Sequence, residues 1–295
     1  MSHRKFRKLA LAGPDYSDNS LEELKMRYQK ALENGLHGLC FSAYEEGQQP
    51  GDQLSEAQVR RRLEIIAPFT KWVRSFSCIE GNELIPRIAH EMGLQTLVGA
   101  WLGKDEDKNE QEIEALINLA RTGCVDIAAV GNEVLYRNDL PKAKLIEYLK
   151  RVKAALPGIP VGYVDAYYEF SQHPDICDCC DVILANCYPF WEGCQLEYSL
   201  VYMQQMYHQA QQAAQGKRVI ITETGWPNQG RALEGAVPSV ENAIKYFLYT
   251  QQWGLQDKLE IFYFSSFDES WKVGAEGDVG AYWGIWDKNE QLKYV

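Results

Sequence analysis

In Val219-Ile-Ile-Thr-Glu-Thr-Gly-Trp-Pro227 a run of apolar and β-branched residues meets a glutamate and then a Gly-Trp-Pro breaker. A run of that length, bounded by Gly and Pro, reads as a strand buried on both faces, the pattern of parallel sheets. Upstream, Ile127-Ala-Ala-Val-Gly-Asn-Glu133 repeats the arrangement, again ending on a glutamate. A carboxylate just past the C-terminal end of a parallel strand stands where (β/α)₈ barrels build their active sites. Two of them on separate strands form the pair that glycoside hydrolysis requires.

Working outward, six more short runs read as strands: 38–41, 72–75, 96–99, 161–163, 182–185 and 261–264. Helical stretches alternate with them. Ser20-Leu-Glu-Glu23 and Ser55-Glu-Ala-Gln58 read as capping boxes. Pro141 suits a first helical turn, ahead of a stripe formed by Leu145, Leu149, Val152 and Leu156. Further crossovers are expected at 112–120, 196–214 and 240–253. Eight strands in alternating order favour one closed (β/α)₈ TIM barrel over a doubly wound sheet. The expectation is a single catalytic domain over residues 1–295, with an extra N-terminal helix at 20–34 and an irregular C-terminal tail. That helix is a candidate to fill the outer ring after the eighth strand, where no clear helix follows.

A formal charge of −11 argues against a nucleic-acid or anionic membrane partner and suits a neutral substrate. Eight Trp and seventeen Tyr fit a carbohydrate cleft, since sugar C–H faces stack on aromatic rings, and fit a packed core equally well. The basic start, Met1 to Lys8, precedes only Leu9-Ala-Leu-Ala12, too short for a secretory apolar segment. No apolar run reaches the ~18 residues of a membrane span. A soluble, cytoplasmic monomer is therefore expected, or a secreted or periplasmic one if a leader has been removed.

The cluster Cys177-Asp-Cys-Cys180, with Cys187 and Cys194 beyond, lacks zinc-module spacing, so reduced structural thiols are expected. His90-Glu91 lacks a second His at 94, and no nucleophile elbow, Walker loop or dinucleotide fingerprint occurs. No metal and no cofactor are expected.

Four pieces occurring in order carry a resemblance to a known family. They are Val130-Gly-Asn-Glu133, Pro189-Phe-Trp-Glu-Gly193, Glu223-Thr-Gly-Trp-Pro227, and Phe267-Asp-Glu-Ser-Trp-Lys272 followed by Gly280-Ala-Tyr-Trp-Gly-Ile-Trp286. From about residue 36 onward the chain resembles glycoside hydrolase family 17, the β-1,3-glucanases, and the 189–193 piece resembles bacterial members. The resemblance implies a retaining enzyme on β-1,3-glucan such as laminarin or its oligosaccharides, with Glu133 as acid/base and Glu223 as nucleophile. It implies a raised pKa for Glu133, donors holding an ionised Glu223, and Asn132 donating to the sugar 2-hydroxyl. Glu269 and Lys272 match a Glu-x-x-Lys pair near the sugar subsites. Tyr44 and Tyr188 are candidates to touch the nucleophile or stack on sugar. Trp191 and Trp226 are candidate platforms, Phe190 a further one, and Asp165 and Tyr167 lesser candidates. A glucanosyltransferase using the same site and a non-catalytic glucan-binding barrel are the alternatives. Endo or exo action is left open.

Overall fold

The computed structural model describes residues 14–295, so the basic start and the short apolar run read for a leader lie outside the described residues. Eight parallel strands close into a barrel in chain order. They are β1 (Leu36–Cys40), β2 (Thr70–Ser75), β3 (Gln95–Ala100), β4 (Ile127–Asn132), β5 (Val161–Ala166), β6 (Val182–Asn186), β7 (Arg218–Thr224) and β8 (Ile261–Tyr263). β1 pairs with β8 through Gly38 opposite Phe262 and Leu39 opposite Tyr263. Closure there demands glycine, because a Cβ on Gly38 would sit 2.5 Å from the Phe262 ring.

The eight apolar runs all become strands. Four of them, β4 to β7, extend past the apolar run into polar residues at the C-terminal end, where the sheet ladder continues after the core requirement stops. Ahead of β1 lies α1 (Leu21–Glu33), and between the strands lie α2 (Glu56–Ile66), α3 (Leu84–Glu91), α4 (Glu106–Arg121), α5 (Lys142–Ala155), α6 (Glu169–Gln172), α7 (Pro174–Cys179), α8 (Leu196–Ala214) and α9 (Val240–Asp257). Ser20 and Glu23 form the reciprocal capping box that starts α1. Ser55 caps Gln58 N, but the Gln58 side chain turns to Ala43 O at 2.7 Å, so that box is only half made. Pro141 is the N-cap rather than a first-turn residue, with extended ψ. The four- and six-residue helices α6 and α7 carry too few turns for a readable stripe, whereas α3 buries Ile85, Ile88 and Ala89 on one face. α7 carries Cys177 and Cys179, and all eight cysteines are free thiols.

α1 packs against α9, with Tyr28 4.7 Å from the Phe247 ring and 5.2 Å from Tyr294 of the tail. It thus occupies the outer-ring place beside β8. After β8 the chain runs through two 3₁₀ turns, Ser270–Lys272 and Gly277–Ala281, around a single helical turn. The tail is then pinned by backbone bonds from Ile285 and Trp286 to Ser265 and Ser266. No helix among the described residues is long and apolar enough to cross a membrane.

The ladder slips register in three places. These are between β4 and β5 at Ala129/Asn132, between β6 and β7 at Ala185/Asn186, and between β7 and β8 at Ile221/Thr224. All three lie at C-terminal strand ends. Such bulges re-aim side chains, and here they turn those of Asn132, Asn186 and Glu223.

Candidate active site

The strand ends line one cleft of about 1020 Å³, at the upper end of the range for small-molecule sites. Glu133 and Glu223 both face it, as do Asn132, Tyr44, Tyr188, Trp191, Glu269 and Lys272. Residues from all eight strand ends line it, although they are scattered over more than two hundred positions of sequence.

β4 ends in a strained turn. Gly131 has φ +82°, where a Cβ would also press to 2.8 Å from Val134 Cγ2, and Glu133 itself adopts φ +52°. A non-glycine residue held in that region costs of order 1 kcal/mol and needs surrounding structure to fix it. Here the Glu133 amide donates to Val164 O at 2.8 Å. Its carboxyl accepts from Asn186 Nδ2 at 2.9 Å through Oε1, while Arg137 Nη1 lies 3.7 Å from Oε2. Burial, then the nearby Glu223 carboxylate, push the Glu133 pKa up to about 7. Loss of water penalises the charged form, and a second negative charge adds to that.

Glu223 stands in the opposite setting. Arg74 Nη1 donates to Oε1 at 2.6 Å and the Tyr188 hydroxyl donates to Oε2 at 2.8 Å. Arg74 projects from β2 and is 1% exposed, so its charge has almost no water to lean on. Its second terminal nitrogen donates to Asn132 Oδ1 at 2.8 Å, and its plane stacks 4.2 Å above the Phe76 ring. Because Oδ1 of Asn132 is held by Arg74, the Asn132 amide nitrogen is the atom left to meet a ligand.

Across the cleft, Lys272 Nζ lies 2.6 Å from Glu269 Oε2 and 4.0 Å above the Phe264 ring. Trp271 Nε1 donates to the other Glu269 oxygen at 3.0 Å. Both members of the pair are buried, so this is not the loose surface ion pair that a Glu-x-x-Lys spacing also permits. Glu276 lines the same wall, with Oε2 buried and without a hydrogen-bond partner.

Three sequence candidates fall away from the cleft. Trp226 is 2% exposed, donates Nε1 to Val237 O at 3.0 Å and packs against Phe190 and Tyr246, so no face is left for a sugar. Phe190 is fully buried beside it. Asp165 is also fully buried and accepts from Tyr163 OH and from the amides of Ala166 and Tyr136, the last at 3.4 Å. It braces the loop after Glu133 from below instead of meeting a ligand. Tyr167 does line the cleft, with its hydroxyl on Glu192 at 3.1 Å. Tyr44 lines it as well, yet its hydroxyl takes Asn82 Nδ2 at 3.2 Å and does not touch Glu223.

Arg74, Asn186 and Arg137 were not among the sequence candidates. Arg74 had a signal: an arginine inside Trp72-Val-Arg-Ser75, a run otherwise destined for burial, demands a buried anion. Asn186 ends its strand as Asn132 ends its own, and only its neighbours distinguish it from a turn residue. Among the described residues no group of three or more His, Cys, Asp or Glu side chains could hold a metal ion.

A family model described as the BtgE/BtgC glycoside hydrolase domain matches residues 38–284. The chain belongs to this family. A glucan 1,3-beta-glucosidase of Candida albicans is 30% identical over 263 residues, spanning 79% of this chain and 83% of that protein. The Schizosaccharomyces pombe glucan 1,3-beta-glucosidase is 26% identical over 302 residues, spanning 94% and 91%. Among solved structures, a glycoside hydrolase family 17 beta-1,3-glucanosyltransferase from Rhizomucor miehei superposes with a TM-score of 0.79 at 29% identity. That match covers 88% of this chain and 96% of the other. An active-site mutant of the same transferase, solved in complex with laminaritriose, matches equally well. These relatives are fungal, so the family-17 likeness is not confined to bacterial members.

Proposed function

We propose that the protein cleaves β-1,3-glucan or its oligosaccharides with retention of configuration, Glu223 acting as nucleophile and Glu133 as acid/base. The observation that carries this reading is the contrast between two carboxyls in one cleft. Glu223 is paired with a buried guanidinium and a phenol. Glu133 is held near neutral pH by burial. Environments that separate two carboxyls in this way assign one as acid and the other as anion.

In the first step Glu223 attacks the anomeric carbon and forms a glycosyl-enzyme. The C–O bond to the leaving sugar breaks as Glu133 transfers its proton to that oxygen. In the second step Glu133, now a carboxylate, takes a proton from the acceptor as its oxygen displaces Glu223. The free Asn132 amide nitrogen, oriented by Arg74, donates to the sugar 2-hydroxyl as charge develops at the ring. The β-1,3-glucan assignment draws on the C. albicans, S. pombe and R. miehei proteins.

The acceptor is either water or a second sugar. The R. miehei neighbour, a glucanosyltransferase, favours giving transfer equal standing with hydrolysis. Incubating Glu223→Ala with laminari-oligosaccharides and azide tests the core of the proposal. An α-glycosyl azide is expected, and a β-azide or no azide adduct would sink it. With the unaltered enzyme, products longer than the starting oligosaccharide identify transfer, and only shorter ones identify hydrolysis. A monomer acting on a neutral polysaccharide completes the reading.

A further inference from the structure

The two oxygens of Glu133 are not equivalent. Oε1 accepts from Asn186 Nδ2 at 2.9 Å, whereas Oε2 makes no hydrogen bond among the described residues and faces only Arg137, at 3.7 Å. A proton on Oε1 would make that oxygen the poorer acceptor and weaken the Asn186 bond, so the proton is favoured on Oε2. Asn186 is 3% exposed, so water has little room to replace that bond. On the far side of its amide, Oδ1 accepts from the Thr222 hydroxyl at 2.8 Å. The β6–β7 register slip sets Asn186 opposite Glu223 and brings these three groups into line.

We propose that Asn186 is a positioning residue that confines the transferable proton of Glu133 to Oε2, with Thr222 fixing which way its amide faces. This rests on Glu133 being the acid/base. The orientation suits both halves of the reaction. Before proton transfer it favours Oε2, the oxygen without an N–H donor, as the one that carries the hydrogen. After transfer Glu133 only accepts, and the amide donor facing it is already in place. The ionisable groups acting on Glu133 are Glu223 from β7, Asp165 from β5 and Arg137 from its own loop, the last paired with Oε2 and not with Oε1.

The test compares kcat/KM on laminaritriose with that on 2,4-dinitrophenyl laminaribioside, whose leaving group needs no proton. For Asn186→Ala the oligosaccharide value should fall about tenfold to a hundredfold, part of the ~10²–10⁴ that general acid catalysis supplies. The activated substrate should change by less than about threefold, because the same step then runs without the acid. The high-pH limb on laminaritriose should also move upward, because a donor to the carboxylate is gone. Thr222→Val, close in volume and kinder to folding, should show the same selectivity more weakly. Equal losses on both substrates, or no loss on laminaritriose, overturn the proposal. Glu133→Ala is run alongside: if it fails to spare the activated substrate, Glu133 is not the acid, and the functional reading falls whatever Asn186 does.

Discussion

Arg74 reaches from β2 across the barrel mouth to place Nη1 2.6 Å from Oε1 of Glu223 on β7, both side chains nearly sealed from solvent. The same guanidinium holds Asn132 at the end of β4. One cation therefore sets the orientation of two groups on strands that are far apart in sequence. A buried ion pair of this kind adds little to stability when intact, since desolvation offsets attraction, but breaking it strands a charge.

Arg74→Met should accordingly destabilise the fold by about 3–5 kcal/mol in denaturant unfolding, most of it from the uncompensated Glu223. Arg74→Met combined with Glu223→Leu should recover much of that loss. A double variant no more stable than the single one would show that Arg74 is held by something other than Glu223.

The Glu133 pKa of about 7 fixes the sign of a pH effect on activity. As the proposed acid, Glu133 must be protonated when substrate binds, so kcat/KM should fall as pH rises through about 7. In Glu133→Gln that limb should vanish, with kcat/KM on oligosaccharides reduced by about 10²–10⁴. A pH profile retaining the same limb in the variant would assign it to another group.

The same shift has a consequence for stability. Between the ordinary value of 4.5 and about 7 the folded protein holds a proton on Glu133 that the unfolded chain has released, so stability falls as pH rises through that window. Glu133→Gln should therefore match the unaltered protein at pH ~4 and exceed it by about 1–3 kcal/mol at pH ~8, judged from melting at the two pH values. Equal stability at both would mean that the carboxyl is not strained by its surroundings.

Asn132 offers a test written in the substrate. Asn132→Ala should cost about 2–4 kcal/mol in transition-state stabilisation on a glucoside and far less on its 2-deoxy analogue, where the hydroxyl partner is already missing. Equal losses on both would move Asn132 from ligand contact to a purely structural role.

Trp191 and Trp226 should separate cleanly. Trp191 is 39% exposed in the cleft, so Trp191→Ala should raise KM for oligosaccharides or weaken acceptor use, with melting nearly unchanged. Trp226→Ala removes a ring packed between Phe190 and Tyr246 and should cost about 3–5 kcal/mol of stability. Loss of oligosaccharide binding in a stable Trp226→Ala protein would return that residue to the cleft.

The chain alone determined the barrel and the strand ends on which Glu133 and Glu223 stand. Continuous apolar runs, Gly and Pro breakers and alternating helix signals are local properties, and eight of them in this order leave few ways to bury every face. Helix ends were readable where side chain and backbone cap each other within a few residues, as at Ser20 and Glu23. The start at Ser55 was readable as well, although its box is only half made because a distant partner, Ala43 O, takes the Gln58 side chain. Only the tertiary structure decided which aromatics meet the cleft, separating Trp191 from Trp226, because both follow strands and differ only in what packs around them. It alone joined Arg74 to Glu223 and Asn132, and Asn186 to Glu133. Those contacts depend on register slips at the strand ends and on burial that strengthens each charge, and both arise when distant segments close on one another.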